Sequence, residues 1–489
     1  MELQDRGESK QLHKETKKIQ KAIKAAKLKK APQSSIASLY YNLGLLSYQI
    51  SDVDLAFTSF QESARICNEL GSQQNYASSL GYIGLIFGDK GDYGQALKYL
   101  QEALQIQREI GNRQDISSQL ANLGRVFIQQ GDFEQALNYL LEALQIDKEI
   151  ADSQGVATTL GNIGIIYLHQ GKLDQALNCF QEALQIHRKI GDRQGIANQL
   201  GNIGTIFSHK GDYDQALKYY CDALQTDMGI EYLQGAANDL GNIGRIYILK
   251  GDYDQALSYI QESLQMYRQI GDLQGVANSL NNIGTIYSHR GDYERSLKYH
   301  QEALHIHREI AYLPGISVDL SNIAAVYISK GDNDQALKYL GAALQIDREA
   351  GHPQGLALAL GNIGLIYGNK GDVDQALRHL QEALTIDKEI GNLQGTASDL
   401  GNIGLIYSYK GNFDQALKYH QEALQIQREI GNLQGVANSL SNIGLIYKAK
   451  GDSIGTTKYF GEAEKIFEAL GFPKEAKKTR KLGETAEEP

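Results

Sequence analysis

Tryptophan is absent from this chain, and proline, cysteine and long apolar runs are scarce. Five prolines in 489 residues are too few for a polyproline linker or a low-complexity tail. The three cysteines, Cys67, Cys179 and Cys221, stand far apart. That spacing excludes a disulfide framework or a paired-cysteine metal knuckle and fits a reducing compartment. No stretch approaches the ~18 apolar residues that cross a bilayer. The opening MELQDRGESK puts acids where a signal peptide needs a basic and then an apolar run, so a cytoplasmic chain is expected. A surplus of positive charge is missing too. At a net charge of −10, no global field draws the molecule to nucleic acid or to an anionic membrane. The exception is residues 1–30, where ten Lys/Arg meet four acids.

Glycine, by contrast, is plentiful at 51 residues, and it falls at intervals. So does leucine: Leu80, Leu120, Leu160, Leu200, Leu240, Leu280, Leu320, Leu360, Leu400 and Leu440 share one spacing of forty. Tyr40 occupies the frame one period earlier, which predicts eleven units over residues 40–479. Each unit reads as two helices. In the second unit, Ala77, Leu80, Gly84 and Phe87 recur at helical spacing, as do Tyr93, Ala96, Leu97, Leu100, Ala103 and Leu104. Between them Lys90 sits at a helix C-terminus, Gly91 suits a left-handed stop, and Asp92 with Gln95 forms a capping box. Further glycines, from Gly71 and Gly111 to Gly471, end the second helices. Tyr99, Ala103 and Ile106 widen the apolar surface of the second helix, so neighbours must cover it on two sides. An elongated stack is expected, in which each unit meets mainly its neighbours.

The pattern resembles the tetratricopeptide repeat, whose usual unit is about 34 residues. The resemblance lies in four columns: the small residue at Gly84, the aromatic at Phe87, and the small pair Ala96 and Ala103, with their equivalents. Small residues there let helix axes approach closely. The family's closing proline is missing, with Arg108 in its place, so the second helix runs on. This gives the forty-residue variety similar to Pins/LGN-type adaptors and kinesin light chains. The resemblance implies an all-α fold: a tetratricopeptide α-α solenoid, a right-handed superhelix of about eleven helical hairpins. Residues 1–39 are expected to form a basic N-terminal helix or arm, packed on the first unit or frayed. Lys474 to Leu482 read as a solvating cap, and residues 480–489 as an acidic tail.

Signs of catalysis are lacking. The one Gly-Lys pair, Gly171-Lys172, is followed by leucine in a turn, and there is no HExxH. His300 and His305 do not share a helical face and no carboxylate or cysteine completes a metal set with His307, while His300 and His420 occupy a column filled elsewhere by Leu100, Leu140 and Ile260, as packing residues. A protein that is not an enzyme, without metal or cofactor, is expected.

The informative face is the other side of the first helix, the stripe of residues 78, 82, 85 and 89 and their equivalents. One of its columns hardly varies: Asn42, Asn122, Asn162, Asn202, Asn242, Asn282, Asn322, Asn362, Asn402 and Asn442, with Tyr82 the exception. Asparagine inside a helix costs roughly half a kcal/mol relative to alanine, so something must offset it. In the families named, first helices line a concave surface and an asparagine ladder holds peptide backbone, which would make this column a peptide-binding ladder. A structural tie between helices is the other reading. Around the ladder the stripe varies. Arg125 and Arg245 share one column, His169, His209 and His289 lie four residues further along, and Leu365, Leu405 and Leu445 fill the arginine column in the last units. The expected function is a non-enzymatic scaffold binding an extended protein or peptide segment in the groove, acidic with apolar residues at one end, and binding that strengthens below about pH 6.5, where histidines protonate. A peptide-sensing signalling regulator and a structural assembly scaffold are the alternatives; residues 1–39 are short for an output domain. Neither membrane nor nucleic acid is an expected partner, and self-association stays open.

Overall fold

A computed structural model describes residues 6–50 and 52–484, with side chains from Lys14 onward. Among the described residues there are twenty-four helices and no strand. A helix over Arg6–Leu28 precedes eleven helical hairpins, and a helix over Pro473–Glu484 follows them. Hairpin 1 pairs Gln33–Gln49 with Val53–Glu69, hairpin 2 pairs Gln73–Asp89 with Tyr93–Ile110, and hairpin 11 pairs Leu433–Ala449 with Ser453–Ala469.

Local chemistry sets each hairpin. Gly91 adopts φ +81°, and the Asp92 carboxylate accepts a hydrogen bond from the Gln95 backbone N–H at 3.1 Å, capping the second helix. The glycine of the first helix is a packing requirement. A Cβ on Gly124 would stand 2.6 Å from Leu140 Cγ, so only glycine lets the two helices of hairpin 3 close on that leucine. The aromatic three residues on stacks against a ring on the second helix in nine hairpins, as in Phe87 on Tyr99 and Tyr247 on Tyr259, with centroids 5.2–5.6 Å apart.

Between hairpins the ties are ionic outside and polar within. Lys210 reaches Asp174 at 2.7 Å, Lys250 reaches Asp214 at 3.0 Å and Lys370 reaches Asp334 at 2.8 Å, each across one junction. Beneath them lies a buried polar layer. Asp147 accepts from Ser117 and Thr159, and the His307 ring meets the Asp319 carboxylate at 2.7 Å. His300, as its column predicts, is buried, and its Nδ1 contacts Asn281 Oδ1 at 2.8 Å. The partner of His307 is thus Asp319, twelve residues further along the chain.

Units meet mainly their neighbours, as expected, and a lighter contact joins units six apart. First helices of successive hairpins touch one another along the array, and second helices make no comparable contact, so the stack curves with its first helices inside. After six hairpins the curve closes on itself. Pro314, opening hairpin 8, rides over Gly91 in the turn of hairpin 2, its Cδ 2.7 Å from where a Cβ would stand. Pro353 covers Gly131, Ile430 and Leu393 cover Gly171, and Leu470 covers Gly211. At the last of these rungs the Tyr213 hydroxyl donates to Gln434 Oε1 at 3.4 Å, and its ring lies edge-on to Phe472 at 6.0 Å. The molecule is a coil of about two turns joined along a seam.

A candidate peptide-binding lumen

Inside the coil the first helices present their outward stripe to the lumen. Asn122, Asn162, Asn202, Asn242, Asn282, Asn322, Asn362, Asn402 and Asn442 are all half-buried along this wall. Their amides are not spent on the fold. Among the described residues, the one hydrogen bond made by these side chains runs from Asn202 Nδ2 to Gln199 Oε1, at 3.5 Å and within its own helix. Tyr82, which breaks the column, instead stacks on Phe60 at 4.8 Å and meets Tyr41 and Tyr48 edge-on, an aromatic plug at the first end of the wall.

The two arginines differ. Arg125 Nη2 donates to Asp89 Oδ1 at 3.1 Å and to the Tyr48 hydroxyl at 3.3 Å, so its charge is met within the first hairpins. Arg245 is exposed and makes no ion pair among the described residues. His169 stacks on Phe133 with centroids 5.4 Å apart, and His289 stacks on Tyr253 at 5.7 Å. The Gln394 side chain lies close to His209 across the seam. His169 and His209 reach solvent, yet the protein around them pushes both pKa values below the ordinary histidine value, burial first, then each by a neighbouring cation or ring: His209 for His169, Arg245 for His209.

From hairpin 8 onward the wall turns apolar. Leu365 and Leu405 are half-buried, and Val318, Leu358, Tyr409 and Leu445 are exposed, Tyr409 by 74%. Sequence reasoning missed Val318 and Leu358, although the signal was there: their column reads Ser78, Ser118, Thr158, Asn198, Asn238 and Asn278 before them. Among the described residues no group of three or more His, Cys, Asp or Glu is placed to hold a metal ion, and no helix is long and apolar enough to cross a membrane.

No curated protein matches the chain in sequence. Among solved structures, a Rap protein complexed with Competence and Sporulation Factor superposes with a TM-score of 0.52 at 14% identity, covering 74% of this chain and 99% of that one. The apo quorum sensor NprR from B. thuringiensis gives 0.45 at 16% identity with the same coverage, and BtubC from P. vanneervenii gives 0.39 at 21%, covering 45% of this chain and 92% of that one. At these identities the Rap likeness is one of fold. A tetratricopeptide repeat family model matches residues 35–109, 76–149, 155–227, 236–309, 318–389 and 395–469, nearly the whole array. With the eleven hairpins, their small-residue columns and their inward first helices already in view, the chain belongs to the tetratricopeptide repeat family.

Proposed function

We propose that this protein is a non-enzymatic interaction scaffold that holds an extended segment of another protein along its lumen. The observation that carries this reading is the asparagine ladder, nine half-buried amides on one wall with no hydrogen bond to a neighbouring helix among the described residues. A primary amide offers two donors and an acceptor, matching the N–H and C=O of an extended backbone. The absence of ties between helices favours ligand over structural glue as the use of these residues.

The rest of the wall supports a ligand with two ends. Hairpins 4–7 offer Arg245 and the histidines and no carboxylate in those two columns, whereas hairpins 8–11 offer Val318, Leu358, Leu365, Tyr409 and Leu445. An acidic stretch followed by apolar residues fits this order. Because Arg125 already serves Asp89, Arg245 is the arginine available to such a ligand. A Rap protein of similar fold was solved with Competence and Sporulation Factor, which keeps peptide-sensing regulation as a second reading.

The test is calorimetry with a library of extended acidic–apolar peptides. Replacing Asn202, Asn242 and Asn282 with alanine removes hydrogen bonds worth about 0.5–1.5 kcal/mol each, so affinity should fall tenfold or more while thermal stability holds or rises slightly. Arg245→Glu should weaken binding and flatten its salt dependence, and Arg125→Glu should mainly destabilise the first hairpins. Binding should strengthen on acidification only below the ordinary histidine range, since His169 and His209 are shifted down. Unfolding of the asparagine variant with unchanged affinity for any bound peptide would sink the ladder.

A further inference from the structure

The seam that joins the two turns of the coil exists in a second, unfilled copy. In hairpins 2–5 the turn glycines Gly91, Gly131, Gly171 and Gly211 are buried, and so are the residues two further on, Tyr93, Phe133, Leu173 and Tyr213. What covers them comes from the hairpin six units later, from its start at Leu313, Pro314, Pro353 and Leu393 and from the end of its second helix at Ile430 and Leu470. In hairpins 6–10 the same surface has nothing above it. Gly251, Gly291, Gly331, Gly371 and Gly411 are exposed, and Tyr253, Tyr293, Val373 and Phe413 rise only to half-burial.

The opposite edge changes in step. The first residue of each hairpin is Gln73, Arg113, Ser153 and Arg193 in hairpins 2–5, all exposed. At the same position hairpins 6–11 carry Leu233, Leu273, Leu313, Pro353, Leu393 and Leu433. Leucine or proline therefore stands at 313, 353 and 393, where hairpin starts meet preceding turns, and also at 233, which has no turn six units before it, while polar residues stand where the coil begins. Leu313, Pro353 and Leu393, which meet the turns of hairpins 2–4, are half-buried, whereas Leu273 and Leu433 at the same position stay exposed; the three seam contacts tie an apolar hairpin start to edge pairing.

We propose that the free edge of hairpins 6–10 is a docking surface for the edge of another helical-hairpin array that carries Leu or Pro at its first helical positions, and that the polar residues on this chain's own leading edge keep a second copy from filling it. The argument is continuity with an interface already present. Acceptor turn and donor start are the same two structural positions that meet in the seam, so a second array bearing the donor residue would extend the coil end to end.

The probe is a variant of the full chain that presents the donor edge: Arg113→Leu, Ser153→Pro and Arg193→Leu, the residues found at 313, 353 and 393. Circular dichroism first establishes that helicity is kept. Arg113→Leu with Arg193→Leu serves if the proline disturbs folding. Light scattering and sedimentation should then show the unmodified chain unassociated and the variant forming end-to-end oligomers that grow with concentration. The variant should also capture the unmodified chain, which carries the acceptor edge. Adding Tyr253→Lys, Tyr293→Lys and Phe413→Lys should reverse both effects. A folded variant that stays unassociated, oligomers indifferent to the three lysines, or end-to-end stacking by the unmodified chain would each overturn the proposal.

Discussion

At the scale of the residue, the strongest commitments of this chain are polar groups placed out of water. Asp239 and Asp399 are buried beside Asp227 and Asp387, and each is pushed up to about 8, by burial first and then by its neighbouring carboxylate. Asp227 and Asp387 are raised to about 6, again chiefly by burial. A carboxyl with a folded pKa above its unfolded value holds a proton that the unfolded chain gives up. These pairs therefore favour the native state most below about pH 4, and that contribution is lost as pH rises toward 8. Asp239→Asn with Asp399→Asn should raise stability at pH 8 by on the order of 2 kcal/mol and flatten the decline between pH 4 and 8. Denaturant melts across that range decide it, and an unchanged slope would show that the carboxyls ionise without cost. None of this layer is visible in the periodicity. The columns of Asp227 and Asp239 vary freely, as Gln107, Asp147 and His187 show for the first, because what is selected at each junction is a compatible pair twelve residues apart, not a residue type. His307 with Asp319 and Asp147 with Thr159 are two such pairs.

At the scale of the element, hairpin geometry was legible because it depends on nearest neighbours in sequence. Gly91 and Asp92 stop one helix and start the next, and the same pair marks most units; Ala151, Glu231 and Ala311 take positive φ where other units use glycine, a substitution that the period alone does not flag. The terminal helices depend on contacts instead. The basic N-terminal helix packs Ala26 against Ile36, Ala37, Ile66 and Cys67 of hairpin 1 and buries Ile23, with its Lys27 ammonium 5.2 Å from the Tyr40 ring centre, while Lys14, Lys17, Lys18, Lys21 and Lys24 face solvent. Leu12, which falls on the same apolar side in the sequence, lies outside the residues with described side chains. Since a solenoid gains stability junction by junction, deleting residues 1–30 should loosen hairpin 1 by about 1–2 kcal/mol of lost apolar burial and leave the main melting transition in place. Thiol labelling gives the local readout. Cys67, now buried, should become reactive while the exposed Cys221 is unaffected; a collapse of the whole transition would instead make this helix an indispensable cap.

At the scale of the whole molecule, the property that sequence reading missed is closure. A forty-residue period reports how a unit meets the next one, and it carries no direct account of residues six units apart. The trace was present nonetheless at the first helical positions, where Leu313, Pro353 and Leu393 stand against Arg113, Ser153 and Arg193, and in Pro314 beside the first of them. Closure makes the lumen an enclosed passage, yet the seam is lightly built. Among the described residues no ion pair crosses it, and its rungs rest on a few apolar side chains, Pro314, Pro353, Leu393, Ile430 and Leu470, each worth about 1 kcal/mol, with the Tyr213 to Gln434 hydrogen bond at the last. The hairpin junctions, with continuous helix packing, are far stronger than the seam that links the turns. Leu313→Arg, Pro353→Ser and Leu393→Arg place at the seam the residues that the chain already tolerates at 113, 153 and 193, so helicity and the main melting transition should be kept. What should change is shape. With three of its apolar contacts made polar the seam weakens, so the coil can unwind by a small angle at every junction, and the radius of gyration from small-angle scattering should rise by roughly a tenth, with faster hydrogen exchange in the turns at Gly91, Gly131 and Gly171. If the variant keeps both the original radius and the original exchange rates, the curvature is set entirely by hairpin packing and the seam only follows it.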